Sequence, residues 1–124
     1  MELSSQQLAD VTFIHVKGRI DHKTAKDFEN ALKPYLDTVI TGESQKILLD
    51  LGGVDFMTSA GLRVLMIVAK TCDKHACDIV VADLQPIIEE IFKISRFDLI
   101  LKIFPTVKSA LEAISSTATD LYEN

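Results

Sequence analysis

The chain has 124 residues and a formal charge of −5, from 18 acidic and 13 basic side chains. This length bounds it to one domain, residues 1–124, and 48% hydrophobic against 25% charged residues excludes a disordered chain. Both halves are net acidic without a basic patch, which disfavours a nucleic-acid partner, and three His, two Cys and no Trp leave little catalytic material.

In chain order, Glu2–Leu8 is a weak strand candidate, closed by a turn at Ala9-Asp10. Val11-Thr-Phe-Ile-His-Val is rich in β-formers, with Val11, Phe13 and His15 on one face; Gly18 ends or bends it. Asp21 opens a helix and is placed to cap it. Ala25, Phe28, Leu32, Leu36 and Val39 form its buried stripe, and Pro34 inside that stripe predicts a kink or break. Thr41-Gly-Glu-Ser is a loop. Lys46-Ile-Leu-Leu-Asp-Leu is continuously apolar enough to be a central strand covered on both faces. Gly52-Gly53 reads as a tight turn from that strand towards a helix.

Ala60–Cys72 is the clearest helix, apolar on two sides, with only Arg63, Lys70 and Thr71 polar. Asp78–Ala82 is a strand, and Pro86 starts a helix to about Ile94 with Ile87, Ile88, Ile91 and Phe92 inward. Leu99–Phe104 is a last strand, and Thr106 caps a final helix with Val107, Ala110, Leu111 and Ile114 as its stripe. Ser115–Asn124 is polar and expected to fray. The order β-β-α-β-α-β-α-β-α predicts an α/β fold: a small mixed β-sheet of four to five strands packed against about four helices, one sheet face thinly covered.

The N-terminus shows neither a basic n-region nor an apolar h-region, and no apolar run approaches the ~20 residues of a spanning helix. A cytoplasmic protein without membrane insertion is therefore expected, with Cys72 and Cys77 as reduced thiols. Their spacing fits no metal pattern, though spacing alone leaves a disulfide open. His15, His22 and His75 lie in different elements without ligand spacing, so no metal is expected. Asp50 and Asp55 flank Gly52-Gly53, where the bland reading is turn residues. Gly52, Gly53 and Gly61 match neither phosphate-loop pattern, and no cofactor is expected. Thr58 and Ser59 stand where the clear helix begins, where a hydroxyl can cap the free N–H groups and where added negative charge is tolerated.

Two segments carry a resemblance. Gly18-Arg-Ile-Asp-His-Lys-Thr-Ala resembles a segment of STAS domains, the anti-sigma factor antagonist family. Leu49-Asp-Leu-Gly-Gly-Val-Asp-Phe-Met-Thr-Ser-Ala-Gly-Leu-Arg-Val-Leu resembles that family's strand–loop–helix signature. The resemblance implies a small mixed sheet backed by helices and a bacterial partner-switching regulator that is not itself an enzyme. The unphosphorylated antagonist would bind a histidine-kinase-like serine kinase that doubles as an anti-sigma factor. Phosphorylation on Ser59, or less typically Thr58, would block binding, and a PPM-type phosphatase would reset it. Asp21, Thr58, Ser59, Gly61, Leu62 and Arg63 are the implied partner-binding residues. Two positions depart from the family pattern: Thr58 replaces a frequent acidic residue, and Arg96 stands where glycine is common after the third helix. Two other readings compete: a STAS structural subunit of a transporter or signalling scaffold, with Ser59 only a cap, and a small nucleotide-binding enzyme using Gly52-Gly53.

Overall fold

The computed structural model describes residues 1–123. Strands β1 (Glu2–Leu8) and β2 (Val11–Ile20) form an antiparallel hairpin around the Ala9-Asp10 turn. There follow α1 (Ala25–Thr41), β3 (Lys46–Met57), α2 (Ser59–Lys74), β4 (Asp78–Ala82) and α3 (Pro86–Ile94). A 3-10 turn at Phe97–Leu99 leads to β5 (Lys102–Phe104), α4 (Val107–Ile114) and α5 (Ser116–Glu123). The strands make one mixed sheet in the order β1-β2-β3-β4-β5, with β2 to β5 parallel. This is the α/β class that the element order predicts.

Alternation along the strands sorts the apolar residues into two layers. Ile14, Val16 and Ile20 of β2 and Ile47, Leu49 and Leu51 of β3 pack beneath α1, α2 and α3, against Phe28, Leu65, Val68, Ile88 and Phe92. Val11, Phe13 and Leu48 face the other way, onto Val107, Ala110 and Leu111 of α4 and Ala118 of α5. Three helices cover one face and two short ones the other, so the second layer is the smaller. Leu48, Leu49 and Leu51 are fully buried, as a central strand requires.

Several expectations change. The strand that begins at Lys46 runs on to Met57, so Gly52-Gly53 lies inside β3 and is not a turn. Both glycines lie close to a neighbouring side chain. A Cβ on Gly53 would meet Lys17 Cγ at 2.8 Å, and one on Gly52 would strike the Asp83 carboxylate. Gly18, with φ 99, bends β2 at a register shift, and the strand continues to Ile20. Helix α1 passes Pro34 without a break. Pro34 and Asn30 are both exposed, so the missing N–H falls on the solvent side of the helix, where water can replace it. Of the four residues expected inward on α3, Ile88 and Phe92 are buried and Ile91 partly so, while Ile87 is 53% exposed. Only Lys102–Phe104 pairs as β5, because the chain before it turns to bury Phe97. Arg96 ends α3 in the left-handed region at φ 61, the conformation that glycine adopts most easily.

The tail is not frayed over its described length. Thr106 and Ser109 form a reciprocal capping box at α4, and Ser115 then starts α5. The Ala118 N–H donates to Ser115 Oγ at 3.1 Å, and the Ser115 hydroxyl donates to the Asp10 carboxylate. Lys46 Nζ also reaches Asp10, at 2.7 Å; Lys46 first and Ser115 second hold that carboxyl below its usual range. Ala118 is fully buried beneath this clasp.

Candidate functional site

β2 and β3 finish side by side, with Ile20 paired to Met57. One further bond, from the Thr58 N–H to the Ile20 carbonyl at 3.0 Å, fixes where the chain leaves the sheet. Thr58 is extended (φ −104, ψ 177), and its carbonyl accepts from the N–H groups of Gly61 and Leu62, which starts α2. Its hydroxyl caps nothing. Thr58 Oγ1 is buried without a hydrogen-bond partner among the described residues. Ser59, the first residue of α2, is exposed. Of the two adjacent hydroxyls, only that of Ser59 is presented to solvent.

The orphaned Thr58 hydroxyl has a measurable consequence. Thr58→Val keeps the shape and removes a buried polar group without a partner. It is expected to raise unfolding stability by about 1 kcal/mol, read by urea titration. A loss of stability would show that the hydroxyl is satisfied in solution.

Gly61 sits on the ends of both strands. A Cβ there would lie 2.7 Å from Ile20 Cγ2 and 2.9 Å from Met57 Cγ. Only glycine lets the first turn of α2 come this close, and that contact sets the pose of Ser59. Leu62 is half-buried against the larger layer, and Arg63 is exposed. The first turn of α2 carries no acidic residue, so its free N–H groups meet added negative charge without local repulsion.

Asp21 follows Ile20 directly and is only 9% exposed. It shapes the turn before α1 and does not stand at the helix boundary, since Thr24 immediately precedes Ala25. Its carboxylate accepts from the N–H groups of Lys23 (2.9 Å) and Thr24 (3.2 Å) and from Arg19 Nε (2.8 Å). Its carbonyl accepts from the Ala25 N–H at 2.8 Å. The Arg19 guanidinium, helped by the two backbone N–H groups and opposed by burial, holds the carboxyl at about 2 instead of 3.8. Arg19 also lies over the Phe56 ring, 3.9 Å from its centroid. Sequence reasoning did not single out Arg19 and Phe56. They are register partners across β2 and β3, a pairing that only the sheet reveals.

A carboxyl with a lowered folded value adds stability above its unfolded value and loses it as pH falls through the folded one. The contribution of Asp21 is therefore complete above about pH 4 and fades between 3.8 and about 2. Asp21→Asn is expected to be less stable than the parent at pH 7, with the gap narrowing through that window. A gap constant from pH 7 to 2 in urea titrations would refute this.

The other candidates are dispersed. Asp50 accepts from the Gly52 N–H at 2.9 Å and pairs with His15 Nδ1 at 3.1 Å, while Asp55 is exposed. His15 stacks on Phe13, with centroids 4.2 Å apart. Among the described residues, no helix is long and apolar enough to cross a membrane.

With this geometry in view, the comparisons with known proteins converge. The STAS domain family model matches residues 2–110. The chain is 32% identical over 121 residues to BtrV of Bordetella bronchiseptica, named as an anti-sigma factor antagonist, covering 98% of each protein. An anti-sigma factor antagonist from Mycobacterium paratuberculosis superposes with a TM-score of 0.76 at 23% identity, over 91% of this chain and 94% of its own. The Bacillus cell fate determinant SpoIIAA, in its phosphorylated form, gives 0.69 at 14% identity, over 92% of this chain and 100% of its own.

Proposed function

The chain belongs to the STAS domain family of anti-sigma factor antagonists, and we propose that it is a binding protein switched by phosphorylation of Ser59. In this reading it is a substrate and not an enzyme. The unphosphorylated chain binds an anti-sigma factor that is also a serine kinase with a histidine-kinase-like ATPase fold, in the cytoplasm of a bacterium. The Ser59 oxygen attacks the γ-phosphorus of ATP, its bond to the ADP oxygen breaks, and the serine proton leaves. A PPM-type phosphatase later hydrolyses the ester.

The observation that carries this reading is the exposed Ser59 at the first position of a 16-residue helix, beside a Thr58 whose hydroxyl is buried. Thr58 is thereby the poorer acceptor. A phosphoryl group adds about −1.5 to −2 of charge at pH 7. At this helix terminus the host gains only about 0.3–1 kcal/mol, so the fold tolerates it. A partner presenting acidic groups there loses affinity. Asp21, Arg19 and Phe56 brace the platform, while Leu62 and Arg63 extend the contact surface. The likeness to SpoIIAA, which exists in a phosphorylated form, supports the same reading.

The test is incubation of the full chain with the cognate kinase and ATP, followed by mass mapping. One phosphate is expected on the peptide carrying Ser59, lost in Ser59→Ala and kept in Thr58→Val. Phosphate retained in Ser59→Ala would overturn the assignment.

A further inference from the structure

The far end of α2 holds two thiols that the phosphorylation switch does not use. Cys72 lies in the last turns of α2, and Cys77 immediately precedes β4. The chain reverses between them through Ala76, at φ 54. Two backbone bonds close the reversal: Cys77 N–H to the Cys72 carbonyl at 2.8 Å, and Ala76 N–H to the Asp73 carbonyl at 3.4 Å. This is the Schellman closure of a helix, which brings the side chains at its two outer positions together. Here both are cysteines, and the Cys77 thiol lies 3.8 Å from the Asp78 carbonyl, to which it donates.

The two sulfurs differ in access. Cys72 is fully buried, whereas Cys77 is 7% exposed and lines a groove of about 260 Å³. Asp73, Ile100, Lys102, Phe104 and Ile114 form other parts of that groove. They also differ in ionisation. The neighbouring Cys72 thiol holds Cys77 below the usual thiol range, although burial and the Asp78 charge oppose it. The Cys77 sulfur, with burial, pushes Cys72 up. Cys77 therefore supplies the thiolate, at the groove wall, and Cys72 waits behind it.

We propose that Cys72 and Cys77 are an oxidisable dithiol, with a small hydroperoxide as oxidant, Cys77 as the attacking sulfur and Cys72 as the resolving one. The Cys77 thiolate attacks one peroxide oxygen, the O–O bond breaks, and the departing hydroxide takes a proton to become water. Cys77 is left as a sulfenic acid. The Cys72 sulfur, giving up its proton, attacks Cys77; the S–O bond breaks and a second water leaves. Two thiols lose two electrons in all, and hydrogen peroxide is reduced to two waters. The sulfurs, carried on the two outer positions of one closed reversal, join at about 2.05 Å. Because hydrogen bonds already close the reversal, the bridge asks for no new fold.

The experiment treats the reduced full chain with hydrogen peroxide, blocks free thiols with N-ethylmaleimide, and maps a non-reduced tryptic digest. Lys74 lies between the cysteines, so trypsin separates them unless a disulfide joins them. The expected product is a joined pair of peptides, two hydrogens lighter, from a chain that still migrates as a monomer on a non-reducing gel. In Cys72→Ser, dimedone should capture a sulfenic acid on Cys77. In the unoxidised natural chain, N-ethylmaleimide should label Cys77 faster than Cys72, since Cys77 alone reaches the groove. This rate comparison needs no variant and stands even if Cys72→Ser fails to fold. Two free thiols after peroxide, linkage only between chains, or faster labelling of Cys72 would each overturn the proposal.

Discussion

If the proposed switch holds, Ser59→Asp is expected to bind the proposed partner kinase about a hundredfold more weakly than the natural chain, a change of about 2.7 kcal/mol. Its unfolding midpoint should stay the same or rise slightly. The two expectations come from one geometry. Ser59 is exposed at the first position of α2, where a carboxylate meets free N–H groups and no acidic neighbour in the turn. The charge costs the fold nothing and falls wholly on the partner. Titration calorimetry against the kinase reads the affinity, and Ser59→Asn is the control of matched shape. Asn should stay within a few-fold of Ser. Equal losses for Asn and Asp would trace the effect to a lost hydroxyl contact, and no loss for Asp would remove charge repulsion from the mechanism. Aspartate carries about half the charge of a phosphoserine, so the phosphorylated chain should bind more weakly still.

Gly61→Val is expected to destabilise the fold by about 3 kcal/mol, near the top of the usual overpacking range. The Cβ alone would come within 2.7 Å of Ile20 Cγ2 and 2.9 Å of Met57 Cγ. Both neighbours are almost fully buried, so neither can swing into solvent. The helix must lift from the strand ends, which displaces Ser59. Urea unfolding and kinase phosphorylation should therefore both suffer. Gly52→Ala is the contrast: its Cβ would meet the side-chain end of Asp83, which can move aside. A Gly61→Val chain as stable as the parent would show that the α2 contact is not close-packed in solution.

Legibility differed by element. Pro86 and Thr106 marked their helix starts, because a missing N–H or a capping hydroxyl works within one turn of chain. The stripe Phe28, Leu32 and Val39 was readable for the same local reason. Gly52-Gly53 misled because two glycines suit a turn as well as a crowded strand, and only the neighbouring Lys17 and Asp83 decide which. Pro34 misled because the cost of the lost hydrogen bond depends on whether Asn30 faces water. The polar tail hid α5, whose docking rests on a clasp between Ser115 and Asp10, far apart in the chain.

The same division runs through the site. The sequence by itself determined the α/β order, the strand-to-helix junction and the pair of hydroxyls at Thr58-Ser59, since each follows from neighbours along the chain. Only the tertiary structure decided which hydroxyl is presented. The bond from Thr58 N–H to Ile20 turns one side chain inward, unpartnered, and leaves the next one in solvent. It also decided that Arg19, lying over Phe56, braces Asp21 and that a backbone closure sets Cys72 beside Cys77. Periodicity tells which face of an element is buried; what that face meets depends on how distant segments pack.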